Sequence, residues 1–457
     1  MSNDLTIFAL ASAAGKAGLA VFRISGADAA QVITRLCEPN APPLPRMASV
    51  REIKNPRTGE AVDHALILYF PAPHSFTGED VVELHTHGGR AVTQAVSEAL
   101  RSLPRFRLAE AGEFTRRAFE NGKMDLTEAE AVADLIHAET EAQRKQALRQ
   151  MDGALGKIYE DWRGRLSRSL ALLEAAIDFA DEELPEDLSE RQNQELLALR
   201  DEMARHLNDN HRGERLREGF SIVLLGAPNA GKSSLLNALA RRDAAIVSPF
   251  AGTTRDVIEV HLDINGYPVI LSDTAGLRVS ADAVESEGVR RAQSRAAVAD
   301  LKIIVLDAVT PTDNDTLNAL IDENTLVVLN KADLIPPLPL AGRVGEGGVR
   351  SITPVQNPNA LRLSALTGEG IDALLQKLAQ EISSRFDNNT APPLTRARHR
   401  AALEDCAKHL DRALQAPMAD LRAEDVRLAM RALGGITGRV DVEDLLDIIF
   451  RDFCIGK

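Results

Sequence analysis

Apolar and polar positions follow one another along this 457-residue chain in three textures. Up to about residue 120, short apolar runs at Gly18–Ile24, Ala65–Tyr69 and Val81–His85 alternate with turns and short helical stretches, which predicts an α+β domain. From Leu126 the spacing lengthens. Apolar residues recur at i, i+3 and i+4 through Leu173 and again from Leu196 to Leu207, among abundant Ala, Glu, Arg and Gln, which predicts long amphipathic helices. Between about 217 and 384, β-branched runs alternate with helical ones. After Pro392-Pro393 the helical spacing returns over Ala401–Leu414, Ala423–Leu433 and Val440–Phe453. Neither helical stretch is self-sufficient on its pattern, so the simplest architecture is one helical bundle interrupted by an inserted α/β domain. The expected divisions are an α+β domain over 1–121, the first part of the bundle over 122–216, the insert over 217–384, and the second part over 385–457.

Three strings in the insert carry chemistry: GAPNAGKSS from Gly226, DTAG from Asp273 and NKAD from Asn330. The first follows the apolar run Phe220–Leu225 and precedes a helical segment Ser233–Ala240, the strand–loop–helix context of a phosphate-binding loop. Gly226 and Gly231 let backbone N–H groups of a loop that also holds Ala230 and Ser234 turn toward phosphate oxygens. The next helix adds its positive end. Lys232 supplies a point charge for the β and γ phosphates, and the Ser233 hydroxyl a ligand for Mg²⁺.

Asp273 closes the run Val269–Ser272, where its carboxylate can hold Mg²⁺ through water. Thr274 and Ala275 lead to Gly276, whose N–H can meet the γ-phosphate. Upstream, Ala251 and Gly252 precede Thr253 and Thr254, hydroxyls suited to a switch loop. Asn330, Lys331, Ala332 and Asp333 follow the run Thr325–Leu329 at a strand's carboxyl end. The Asp333 carboxylate can accept two hydrogen bonds from guanine that adenine cannot offer, discrimination of roughly 10⁴-fold. Ser364-Ala365, with Leu366 after it, suits the last guanine-contacting loop. One such string is a moderate signal. Three in this order predict a Ras-like P-loop G domain that hydrolyses GTP.

One position is incomplete. Where Ras-type proteins carry a water-orienting glutamine after DTAG, this chain has Leu277. Water must then be positioned by another residue, a partner or a metal ion. Asn229, inside the phosphate loop, is a candidate ligand for a monovalent cation, and also an ordinary turn asparagine.

Composition is that of a globular protein, 44% hydrophobic and 26% charged, with no apolar run near membrane-spanning length. Asp4 precedes a short apolar stretch without a basic leader, which argues against a secretory signal. Three distant cysteines argue for a reducing compartment, so a cytosolic protein is expected. The net charge of −14 speaks against a broad nucleic-acid footprint. Only two local clusters are basic, Arg105, Arg107, Arg116 and Arg117, then Arg396, Arg398, His399 and Arg400; solvated surface is their default reading and a local groove the alternative. Pro336–Ser351, rich in Pro and Gly, reads as a surface insertion.

SFTGEDVVELHTHGG from Ser75, AEAGEFTRRAFENGKMDLTEAEAVADLI from Ala109 and the terminal Phe453-Cys454-Ile455-Gly456-Lys457 are unusual strings. With the inserted G domain they closely resemble the MnmE (TrmE) family of bacterial tRNA modification GTPases, over essentially the whole chain. The resemblance implies an N-terminal domain that dimerises and binds a 5-formyl- or methylene-tetrahydrofolate donor through Arg23, Glu83, Lys123 and Lys457. It implies K⁺ in place of an arginine finger, held by Asn229 with Ser248, Phe250 and Thr253 in the loop that includes Pro249. Ser233 and Thr254 then match the Mg²⁺ ligands, Glu285 the water-orienting glutamate, and Arg278 a residue implicated in activity. Cys454 matches a terminal cysteine tied to modification rather than to GTP hydrolysis, with its role unsettled.

Two departures, Ala13-Ala14 where the family often has Pro-Pro and His85-Thr86, touch the folate pocket alone. The implied function is a K⁺- and Mg²⁺-dependent GTPase, homodimeric and joined in a heterotetramer with the FAD-binding MnmG. The pair would place a carboxymethylaminomethyl or aminomethyl group on C5 of the wobble uridine of certain tRNAs. The competing reading is an Era-like ribosome-assembly GTPase, which would need a basic RNA-binding appendage and no folate site.

Overall fold

The computed structural model describes residues 5–13, 15–178, 188–242, 246, 259–273, 294–310, 315–335, 360–386, 392–440, 443–451 and 453–456. In chain order the elements begin with β1 (Thr6–Leu10), β2 (Ala17–Ser25), α1 (Gln31–Leu36), β3 (Cys37–Glu38), β4 (Ser49–Lys54), β5 (Ala61–Phe70), β6 (Val81–Gly88), α2 (Arg90–Arg101) and β7 (Phe106–Leu108). Helices follow: α3 (Glu113–Glu120), α4 (Leu126–His137), α5 (Glu141–Met151), α6 (Ala154–Asp178), α7 (Leu188–Leu207) and α8 (Arg212–Glu218). Next come β8 (Phe220–Leu225), α9 (Lys232–Ala240), β9 (Glu259–Ile264), β10 (Tyr267–Asp273), β11 (Leu301–Asp307), α10 (Asp315–Asn318), β12 (Thr325–Asn330) and β13 (Leu361–Arg362). The chain closes with α11 (Ile371–Phe386), α12 (Ala397–Gln415), α13 (Ala419–Thr437) and α14 (Glu443–Arg451). Two compact units result: Met1–Ala133 with Gln150–Asp201 and Ala401–Lys457, and Asp134–Arg149 with Glu202–Arg400.

The first unit holds a seven-stranded sheet of order β3-β4-β5-β6-β2-β1-β7. Phe22 and Ile24 of β2 and Val82 and Leu84 of β6 enter the core shared with Val32, Ile33, Val96 and Leu100 of α1 and α2. Strand alternation therefore turns Arg23, Glu83 and His85 to the opposite face, and register pairs Arg23 with Glu83 directly. In the same unit α6 packs along α13. Tyr159, Trp162 and Leu166 are buried on one, Val426, Ala429 and Leu433 on the other. The last helix closes on α4 in a cluster of Leu126, Ala129, Leu446, Phe450 and Phe453.

The second unit holds a six-stranded sheet of order β13-β12-β11-β8-β10-β9. Every pairing is parallel except that of β9 with β10. Buried Ile222, Leu224 and Val328 make the strand cores that the apolar runs predicted, and Ile303 and Val305 of β11 join them. The apolar reading missed β9, because Glu259, His261 and Asp263 alternate with its inward residues and lower its hydropathy.

Members of both basic clusters depart from their surface reading, while Arg105 keeps it. Arg117 is fully buried and His399 wholly so. Arg396 pairs with Asp134 at 2.7 Å, and Arg400 pairs with Asp209 at 2.6 Å and donates to Leu207 O at 2.7 Å. These guanidiniums serve internal carboxylates and carbonyls, and Arg117 also lines a cleft together with Arg107 and Arg116 of its cluster. All three cysteines are free thiols; burial pushes Cys37 and Cys406 up to about 12, while Cys454 is exposed. Among the described residues no helix is long and apolar enough to cross a membrane.

Candidate functional site

The nucleotide site forms where β8 ends at the centre of its sheet, with β10 on one side and β11 on the other, the reversal point where open α/β sheets bind ligands. Backbone geometry shapes the loop. Asn229 takes φ +64° and Gly231 φ +94°, turning successive N–H groups inward. A Cβ on Gly231 would stand 2.1 Å from Asn330 Nδ2, and one on Gly226 would stand 2.3 Å from Val305 O. Both positions exclude side chains for contact reasons as well as conformational ones.

Lys232 opens α9 and is buried. Its Nζ donates to Gly226 O at 2.7 Å and to Ala227 O at 2.9 Å, spanning the loop it follows. Burial lowers its pKa, and the Asp273 charge opposes that shift. Ser233 Oγ donates to Asp273 Oδ2 at 2.6 Å. A hydroxyl and a carboxylate brought together beside a lysine fit Mg²⁺, which takes hard oxygen ligands.

Asn330 joins two loops. Its Nδ2 donates to Ala230 O at 2.9 Å, and its Oδ1 accepts from Ala365 N–H at 3.0 Å. Lys331, at φ +65°, pairs with Asp307 Oδ2 at 2.7 Å. Burial alone would raise Asp307, but the Lys331 ammonium and the Val309 and Thr310 N–H groups hold it below the usual carboxylate range. Ala332 N–H donates to Leu363 O, leaving the Asp333 carboxylate and Leu366 exposed beside buried Ser364, with Ser234 exposed on α9. The phosphate loop, the β10 aspartate, NKAD and Ser364-Ala365 are thus one site. Ser248, Pro249, Phe250, Ala251, Gly252, Thr253, Thr254, Thr274, Ala275, Gly276, Leu277, Arg278, Glu285 and Lys457 lie outside the described residues.

In the first unit, Arg23 Nε and Nη2 both donate to Glu83 Oε1 at 3.0 Å, and His85 Nε2 lies 3.3 Å from Glu83 Oε2. The Arg23 guanidinium lies over the Phe76 ring at 5.5 Å and near Phe114 at 6.0 Å. Phe76 belongs to the β5–β6 loop, which side chains hold from several directions. Ser25 Oγ donates to Glu79 Oε2 at 2.7 Å, and Arg117 Nη1 donates to both Glu79 oxygens at 3.1 Å. Asn121 Nδ2 donates to Thr77 O at 2.7 Å, and Lys123 Nζ to Pro73 O at 3.1 Å. Arg23 and Lys123 therefore share this loop as a neighbour, and Glu83 is tied to it through Arg23.

Cys454 sits on the C-terminal tail, where Ile455 bridges to Ala111. Sequence reading missed Glu79 and Asn121, and it named Arg117 and His85 without these partners. Only Arg117 left a signal, since it falls three residues after Phe114 on the apolar face of α3.

A family described as the MnmE helical domain matches residues 126–454, and one described as GTP-binding protein TrmE N-terminus matches residues 6–123. The chain is 56% identical over 457 residues to the tRNA modification GTPase MnmE of Parvibaculum lavamentivorans, covering 99% of this chain and 100% of that protein. It is 54% identical to the tRNA modification GTPase MnmE of Paramagnetospirillum magneticum, with 99% of each chain covered. A mitochondrial 5-taurinomethyluridine tRNA synthase subunit of Homo sapiens is 48% identical, over 100% of this chain and 94% of that one.

Proposed function

This chain belongs to the MnmE family of tRNA modification GTPases, and from that membership we infer that it hydrolyses GTP to drive modification at C5 of the wobble uridine of certain tRNAs. The observation that carries the reading is the convergence of Lys232, the Ser233–Asp273 pair and Asn330 at the carboxyl end of one sheet. Lys232 leaves its two loop carbonyls to meet the β and γ phosphates, which a buried ammonium stabilises more strongly than a solvated one. Ser233, Thr254 and Asp273 would hold Mg²⁺, which would supply positive charge beside the phosphates, and Gly276 N–H would serve the γ-phosphate. Bound Mg²⁺ and K⁺ supply positive charge where the phosphates gain negative charge. Asn229, Ser248, Phe250 and Thr253 would hold the K⁺. Glu285 orients the attacking water that Leu277 cannot, Arg278 supports it, and Asp333 selects guanine.

The first unit dimerises and takes the tetrahydrofolate one-carbon donor, with Arg23, Glu83, Lys123 and Lys457 around it and Cys454 nearby. GTP turnover moves the G domains rather than entering the uridine chemistry. The modifying complex is a heterotetramer with MnmG, which brings FAD, and it works in the cytoplasm. The group added is carboxymethylaminomethyl or aminomethyl. The human relative's name carries a taurinomethyl group instead, and taurinomethyl and carboxymethylaminomethyl share an amine that bears an acid.

Mass analysis of wobble uridines in cells lacking this chain tests the reading: unmodified uridine accumulates, and its absence refutes the function. Turnover in K⁺ exceeds that in Na⁺; equal rates remove the K⁺ role of Asn229. Asp333→Asn loses GTP preference, and a variant that keeps it undoes the guanine assignment.

A further inference from the structure

The open face of the first unit's sheet carries a second polar group beyond the Arg23–Glu83 pair, at the far end of β6. Strands β5 and β6 are paired from Phe70–Val81 to Leu66–His85, and the ladder stops there. A side chain takes over. Asp63 Oδ2 accepts the His87 N–H at 2.8 Å, and Oδ1 accepts the His64 N–H at 2.8 Å. The same Oδ1 lies 2.8 Å from His87 Nδ1. A carboxylate that only closed the strand end would need the backbone donors alone. This one also fixes the imidazole ring.

The two partners differ in exposure: the Asp63 side chain is 9% exposed and that of His87 71%. Burial alone would raise Asp63, but the His87 N–H, the His87 ring and the His64 N–H hold it below the usual carboxylate range. An ionised carboxylate facing Nδ1 keeps a proton on that nitrogen and leaves Nε2 as the one open to a ligand. A sheltered carboxylate orienting an exposed imidazole is the arrangement of acid–base catalysis. Among the described residues no group of three or more His, Cys, Asp or Glu is placed to hold a metal ion, so the pair is not part of such a ligand set.

Its place on the sheet points to what it serves. Alternation puts Glu83, His85 and His87 on one face of β6 and Arg23 on the same face of β2. Glu83 and His87 are thus about 13 Å apart along the strand. Val21 and Leu66, each paired with His85, and Leu68, paired with Glu83, are half-buried on this face. A flat, partly apolar donor held by Arg23 and Glu83 can lie along that strip toward His87. We propose that His87 is the proton-transfer residue of the one-carbon step, with Asp63 as its positioning residue. His87 Nε2–H gives its proton to the donor nitrogen that leaves, and that nitrogen keeps the electron pair of the broken carbon–nitrogen bond. The neutral imidazole then takes the proton that the incoming amine loses as its own bond to the carbon forms. Asp63 stays ionised throughout, and the step consumes no oxidant or reductant. The inference rests on the donor reading above and adds to it the group that moves the proton.

The test uses the full chain. His87→Ala keeps its backbone N–H on Asp63, so the variant folds, and circular dichroism checks that it does. Its affinity for tetrahydrofolate, measured by calorimetry, should stay within about three-fold of the unaltered chain. Modified wobble uridine in cells carrying only this variant should fall roughly ten-fold or more. Asp63→Asn should lower the pH at which the His87 ring titrates by NMR, because the imidazolium loses its facing carboxylate. Glu52 and His64 of the neighbouring strands, Glu83 and His85 of β6 and Arg23 of β2 are unchanged in that variant, and His87→Ala identifies the ring's resonance. Full modification with His87→Ala, a loss of donor affinity as large as the loss of modification, or an unchanged ring titration in Asp63→Asn overturns the proposal alone. An unaltered chain that binds no tetrahydrofolate refutes the donor reading and the proposal with it.

Discussion

Two loops of this protein are built to present polar groups, and they are held by opposite means. The phosphate loop from Gly226 to Lys232 is shaped by its own backbone, with left-handed residues at Asn229 and Gly231 and a lysine that ties back to carbonyls of the same loop. The β5–β6 loop from Pro71 to Asp80 is shaped by side chains brought from elsewhere: Ser25, Arg117, Asn121 and Lys123. A loop that carries its own conformational instructions can be written as a contiguous string. A loop held from four distant places cannot.

Breaking the second loop's support should have the largest effect. Arg117→Ala leaves the Glu79 and Glu113 carboxylates without their shared guanidinium, which costs about 3–5 kcal/mol when a buried pair loses one member. Trp162, the chain's single tryptophan, is buried in the same unit and reports its urea unfolding by fluorescence. An unchanged midpoint would show that the network is not holding the unit. In the first loop Lys232→Ala should lower kcat/KM for GTP by about 10²–10³-fold while leaving the Trp162 transition in place. Loss of both together would deny the separation of the two sites.

Gly231→Ala is a smaller, mixed perturbation. Its Cβ would meet Asn330 Nδ2 at 2.1 Å in a backbone conformation that alanine resists, so GDP affinity should fall roughly ten-fold. Because Asn330 also holds Ala365, guanine preference should weaken with it.

Acid sharpens the comparison with the mildest effect. Burial holds His206 of the second unit below its ordinary 6.5, so its neutral form stabilises that unit fully above 6.5 and the stability is lost as pH falls through the folded value. Burial alone would raise Glu113 of the first unit, but Arg107, the Glu110 N–H and Arg117 together hold it below its ordinary 4.5. Its contribution is present above 4.5 and disappears only as pH drops further. Hydrogen exchange should therefore show the second unit loosening first on acidification; the reverse order would assign acid sensitivity to other groups.

Much of the second unit was legible in advance. Phe220–Leu225 and Thr325–Asn330 are strands because buried parallel strands demand continuous apolar, β-branched runs, and the glycines and lysine after them have one use. The helical spacing from Leu126 onward likewise matches α4, α6 and the C-terminal part of α7, which begins at Leu188, ahead of the Leu196 read from the spacing. What failed was charge. Arg117, Arg396 and Arg400 are indistinguishable from surface arginines in a string, because their partners Glu79, Asp134 and Asp209 lie tens to hundreds of residues away.

The sequence by itself determined a GTP-binding insert, its guanine specificity and the family, because backbone-shaped loops keep their chemistry in consecutive residues. Only the tertiary structure decided that Arg23 meets Glu83 across two strands, that Arg117 is a buried tie to the loop beside them, and that Ile455 bridges to Ala111 at the edge of a charged cleft. Those contacts depend on sheet register and on helices closing over it, and long-range pairings leave no trace in local spacing.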